Sequence, residues 1–135
     1  MGRVFFNTRK NIVDVAAAKV LIASDSGSVF NINQASAYEI TLPLSTTIEK
    51  GWNATFVIGT ANTNAVTIAN NTAEDKIIGG VAGHDGSAAT ASESAVDEIV
   101  FISGAAVGDT CDVLYNGTNF IVTGIAGDAA HITVS

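Results

Sequence analysis

The sequence predicts an all-β fold, an antiparallel β-sandwich of jelly-roll-like type with about ten short strands and an N-terminal arm. Three observations carry this expectation. Short runs rich in Val, Ile, Thr and Phe recur about every ten residues, separated by Gly, Asn, Asp and Ser. Several of these runs alternate apolar and polar residues, the period of a half-buried strand. The composition, 47% hydrophobic but only 14% charged over 135 residues, provides a single domain with ample core and a surface of Thr, Asn, Ser and Gly.

In chain order, residues 19–23 form the first run, closed by Ser24-Asp25-Ser26-Gly27. Residues 28–33 alternate around Phe30 and Ile32, and residues 38–42 place Tyr38, Ile40 and Leu42 opposite Glu39 and Thr41. Pro43 has no backbone donor and ends that ladder. Residues 52–60 put Trp52, Ala54, Phe56 and Ile58 on one face, and residues 65–69 turn Val66 and Ile68 inward. Further strands are expected at 75–80, 98–103, 110–115, 118–124 and 130–134. The Asn116-Gly117 pair predicts a two-residue hairpin turn, with Tyr115 opposite Thr118 and Val113 opposite Phe120. Residues 11–18 read as a short helical turn or an extended linker. Residues 81–95, small and aperiodic, read as a long exposed excursion.

Charge divides the chain in two. Residues 1–19 hold Arg3, Arg9, Lys10 and Lys19 against Asp14, a net +3, whereas residues 20–135 hold two lysines against twelve acids, a net −10. The domain organisation expected is a basic arm over 1–19 and a sandwich over 20–135. Within the arm Val4, Phe5 and Phe6 form an apolar triplet between cationic residues. That pattern suits either a solvated chain end or a docking arm, a segment which lays aromatics into a neighbour and pairs Arg3, Arg9 and Lys10 with acidic groups. The acidic body argues against a nucleic-acid partner. No apolar run approaches the length of a membrane-spanning helix, and no secretory leader is expected in the charge-interrupted first ten residues. With one cysteine no internal disulfide forms.

Residues with catalytic or metal-binding chemistry are scattered. His84 and His131 lack a second ligand at metal-site spacing. His84-Asp85 has no nucleophile motif to serve, and Cys111, beside Asp109 and Asp112, reads as a core filler. The acid pairs Glu74-Asp75 and Asp97-Glu98 stand at loop-to-strand junctions, and Gly79-Gly80-Val81-Ala82-Gly83 lacks the Lys-Ser/Thr of a phosphate loop. The expectation is a protein that is not an enzyme and takes no metal or cofactor.

Several segments carry a resemblance. They are Asp25-Ser-Gly-Ser-Val-Phe30, Tyr38-Glu-Ile-Thr-Leu-Pro43, Gly51-Trp52 and Thr55-Phe-Val-Ile-Gly-Thr60. Beyond them stand Ile99-Val-Phe-Ile-Ser-Gly104, Val107-Gly-Asp109 and Leu114-Tyr-Asn-Gly-Thr-Asn-Phe-Ile-Val-Thr-Gly124. Over roughly residues 20–135 this order resembles head decoration (cement) proteins of tailed bacteriophages and related β-modules of tail fibres. The resemblance implies a homotrimeric virion protein, made in the host cytoplasm, that binds major capsid protein on the outer capsid surface and stabilises it. The hairpin alternation sets Leu114 and Ile121 on the face opposite Val113 and Phe120, either for contact with a protomer or the capsid or for burial under another sheet of the same domain. The competing expectation is a receptor- or carbohydrate-binding tail-fibre module, with Trp52, Tyr38 and Tyr115 as stacking platforms.

Overall fold

Alternation along the strands is resolved into two sheets that share one core. The computed structural model describes residues 9–61, 63–71 and 74–135. Twelve strands occur in these residues: β1 (Ile12–Val15), β2 (Lys19–Val20), β3 (Ser28–Asn33), β4 (Tyr38–Thr41), β5 (Asn53–Thr60) and β6 (Val66–Ala69). They continue with β7 (Ile77–Gly83), β8 (Thr90–Val96), β9 (Glu98–Phe101), β10 (Thr110–Tyr115), β11 (Phe120–Ala126) and β12 (Ile132–Val134). Three short 3-10 turns, at Ala23–Asp25, Ser45–Thr47 and Ala129–His131, are the only helical elements among the described residues. The seven-stranded sheet runs β1-β3-β5-β10-β11-β7-β8 and the five-stranded sheet β12-β9-β6-β4-β2.

The all-β sandwich expectation holds, but the pairing is mixed rather than wholly antiparallel. From β1 to β6 the chain alternates between sheets, so each return lays a strand beside the one left two elements earlier. β1–β3–β5 and β2–β4–β6 are therefore parallel sets. From β9 onward the new neighbours are antiparallel, across a short return in β10–β11 and long ones in β6–β9 and β9–β12. β11 lies parallel to β7.

Inward residues of both sheets merge into a single buried cluster. Phe30 and Phe56, neighbours across β3 and β5, stack with ring centroids 5.3 Å apart and are both fully buried. Phe120 packs edge-on to Trp52 and tilted against Tyr115. The rows Trp52/Ala54/Phe56/Ile58 and Val66/Ile68 are buried as their alternation predicts.

Four local expectations are revised. Residues 12–20, assigned to the arm up to 19, form strands of both sheets, and Val15 is buried; β-branched Ile12, Val13 and Val15 favour extension over a helical turn. Residues 19–23 do not form one strand, because Asp25 Oδ2 accepts from Ile22 N and curls the chain into a 3-10 turn. Residues 81–95 are mostly hairpin, β7 pairing antiparallel with β8 around a turn at 84–87. Residues of β8 are largely exposed on a sheet edge, which explains their missing apolar alternation. The Asn116 hairpin pairs Tyr115 with Phe120 and Val113 with Val122, two residues from the expected register. Asn116 Oδ1 accepts from the N–H groups of Thr118 and Asn119, and Gly117 takes φ +99°, which moves the tip outward by one residue per strand. A shift of two leaves each side chain on its expected face.

Candidate functional site

The outer face of the seven-stranded sheet is the most unusual surface of the molecule. β1, β3, β5, β10, β11 and β7 together carry just two charged residues, Asp14 and Asp112. Both are engaged in place: Asn31 Nδ2 donates to Asp14 Oδ1 at 2.8 Å, and Thr55 Oγ1 donates to Asp112 Oδ1. Register places Leu114 between Asn53 and Ile121, with Ile78 next to Ile121 on β7. Leu114 is 47% exposed and Ile121 half-buried. Two other exposed isoleucines stand on the same face. Ile12 lies beside Val29 on β3, and Ile125 lies beside Thr110 and Ala82.

Leu114 and Ile121 are thus direct cross-strand neighbours, as expected of a contact pair. Ile12, Ile78 and Ile125 extend the patch and were not anticipated. Ile125 follows from Ile121 by strand parity, but Ile12 and Ile78 join only through pairing with β3 and β11. Of the arm residues, Arg9 and Lys10 are exposed immediately before β1. Asn11 anchors that entry, its carbonyl accepting from Val29 N and its Nδ2 donating to Ser28 Oγ. Arg3, Val4, Phe5 and Phe6 lie outside the described residues.

The residues considered for other chemistry are built into the scaffold. Trp52 is buried, its indole N–H donating to Ile22 O, and Tyr115 is buried beside Phe120. Tyr38 is half-buried and its hydroxyl donates to Val15 O at 2.7 Å; burial raises its pKa. Cys111 is fully buried, and burial together with nearby Asp112 pushes its thiol far above the usual range. His84 is exposed, its backbone N–H donating to Ala126 O, and Asp85 Oδ1 caps Ser87 N.

His131 is tied into the scaffold. Its Nδ1–H donates to Asp109 Oδ2 at 2.7 Å, and that carboxylate is buried. Ala106 N and Gly127 N donate to the same carboxylate, each at 2.7 Å. Asp109 therefore clasps its own loop, 105–109, to residues 127–131 at the end of the sandwich. Nothing in the local sequence announces it, because its partners stand 22 and 18 residues away. Among the described residues no three His, Cys, Asp or Glu side chains converge as a metal site. Among the described residues no helix is long and apolar enough to cross a membrane.

Comparison with family models, curated proteins and solved structures finds no match to this chain.

Proposed function

We propose that the protein is a virion structural module, a decoration protein that binds the outer surface of a phage capsid and stabilises the shell of major capsid proteins. The observation that carries this reading is the outer face of the seven-stranded sheet. Exposed Ile12, Leu114 and Ile125 share it with half-buried Ile121 and Ile78, and its two charges are already hydrogen-bonded within the sheet. Such a face loses little by dehydration and gains by burial, at about 25 cal/mol per Å² of apolar area. The basic leader of the sequence offers Arg3, Arg9 and Lys10 for pairing with acidic groups, and Val4, Phe5 and Phe6 for packing. The segment resemblance over residues 20–135 points to the same class, with a homotrimer as the working assembly. In the carbohydrate-binding alternative Trp52 and Tyr115 would stack on sugars, and both are core residues here.

The test is co-sedimentation of the purified protein with assembled, undecorated phage shells, alongside its mass in solution. A trimer that saturates the shells is expected. Leu114→Asp/Ile121→Asp should still fold, with a lower melting temperature because it sets like charges opposite each other across β10 and β11, yet lose shell binding at least tenfold, since the charges stand at the centre of the proposed contact. Full decoration by that variant would sink the proposal.

A further inference from the structure

A strand at the edge of a sheet offers a row of backbone N–H and C=O groups to another chain. Among the described residues four strands stand at edges, β1 and β8 in the seven-stranded sheet and β12 and β2 in the five-stranded one. Three of them are blunted. β2 has two residues and β12 three, and β8 carries Glu93 and a register shift against β7. β1 has no such device. Its four residues pair with β3 in unbroken register, and Ile12 at its start is 65% exposed. Asn11 O accepts from Val29 N, so residues 11, 13 and 15 turn their backbone groups toward β3. Ile12 and Asp14 turn theirs outward, away from the sheet.

The side chains along this edge are self-complementary. Strand parity groups Lys10, Ile12 and Asp14, all exposed, on the outer face. Set a second copy antiparallel with Ile12 against Ile12, and Lys10 of each chain stands opposite Asp14 of the other. Cβ atoms opposite each other are then about 4.5–5.5 Å apart, within reach of a Lys–Asp pair. Within one chain the two residues lie four strand positions apart, about 13 Å, too far to pair. Asn31 Nδ2 holds Oδ1 of Asp14, and a carboxylate accepts further hydrogen bonds. We infer that β1 pairs antiparallel with β1 of a second copy, Ile12 on Ile12, and joins the two seven-stranded sheets into one. The two-fold axis of such a pair is perpendicular to the sheet, so both outer faces point the same way and form one continuous apolar surface. The pairing itself stands apart from shell binding; only its use there, linking a module of one trimer to a module of the next, rests on the proposed function. So short an edge makes a weak pair in solution, and modules held side by side on a shell meet at high effective concentration.

Disulfide trapping of the full chain, without shells, tests the pairing. The native Cys111 is fully buried and stays out of the reaction. Cα atoms opposite each other at such a site are about 5.5 Å apart, inside the roughly 4.4–6.8 Å that a disulfide spans. Under mild oxidation Ile12→Cys should form covalent dimers about tenfold faster than Val107→Cys, a comparably exposed loop position that measures chance collision. Asp14→Cys should form them slowly, because the two copies of residue 14 stand about 13 Å apart along the strands. Adding Asp14→Lys to Ile12→Cys sets lysines opposite each other and should slow trapping about threefold or more. Adding Lys10→Asp as well should restore the rate, since the charges are then exchanged rather than lost. Circular dichroism confirms that each variant folds. Trapping of Ile12→Cys no faster than that of Val107→Cys would overturn the inference, as would faster trapping at position 14 or a charge exchange that restores nothing. None of these outcomes bears on shell binding, just as loss of shell binding by Leu114→Asp/Ile121→Asp leaves the β1 pairing in place.

Discussion

The two halves of this sandwich reach the same core by different routes. From residue 12 to 69 the chain coils, alternating between the sheets, and each strand pairs with one laid down many residues earlier. Ile12 meets Val29, Ser28 meets Ala54 and Tyr38 meets Val66. From residue 77 to 134 the chain folds back on itself, and Tyr115 meets Phe120 across a four-residue tip. Loop-closure entropy makes the coiled pairings the costlier ones to initiate, while the hairpins close cheaply. The coiled half packs around the Phe30–Phe56 stack and is tied by hydrogen bonds such as Tyr38 to Val15 and Asn31 to Asp14. The folded-back half adds a polar clasp at Asp109. The local hairpins β7–β8 and β10–β11 thus stand in the later half, beside that half's own long-range pairs β7–β11 and β9–β12.

The sharpest way to break that contrast is to remove one ring from the coil. Phe56→Ala should cost about 3–5 kcal/mol, seen as a lower midpoint in urea unfolding. One transition by both fluorescence and circular dichroism is expected, because both halves share a single core. Two separated transitions would mean that the halves are independent units. Next in size, Asp109→Ala leaves two backbone N–H groups and the His131 Nδ1–H without their acceptor, at an expected cost of about 3 kcal/mol. Hydrogen exchange should then rise first in loops 105–109 and 127–131, with the coil's amides least affected.

The smallest effect concerns the seam between the halves. Burial pushes the Glu74 carboxyl up, but hydrogen bonds from Ser45 and the nearby Lys76 outweigh that and hold it below its ordinary range. A depressed folded-state pKa stabilises above the ordinary carboxylate value and ceases to do so as pH falls through the folded-state value. Glu74→Gln should therefore cost under about 1 kcal/mol at neutral pH, given its exposure, and the difference from wild type should shrink below about pH 4. A difference that persists at low pH would assign Glu74 a role that does not depend on charge.

Much of the architecture was legible because strand parity is a local property. Whether a side chain points in or out depends on its neighbours in sequence, so Trp52 through Ile58, Val66 and Ile68, and Leu114 with Ile121 fell on their expected faces. Even a register displaced by two residues preserved those faces. The basic leader and acidic body were equally plain, being sums over composition. What residues touch across the molecule has no such local signature. Parallel pairing needs a crossover, and its partner is selected by the core that both strands cover. Only the tertiary structure therefore brought Ile12 and Ile78 onto the outer face around Leu114, lined one cleft with Glu39, Asn70, Glu74 and Glu98, and sent His131 to Asp109. The sequence by itself decided which face each strand buries and how charge is divided along the chain. Folding decided which surfaces those choices assemble, because burial of the shared core, rather than any local preference, aligns strands that lie far apart in the chain.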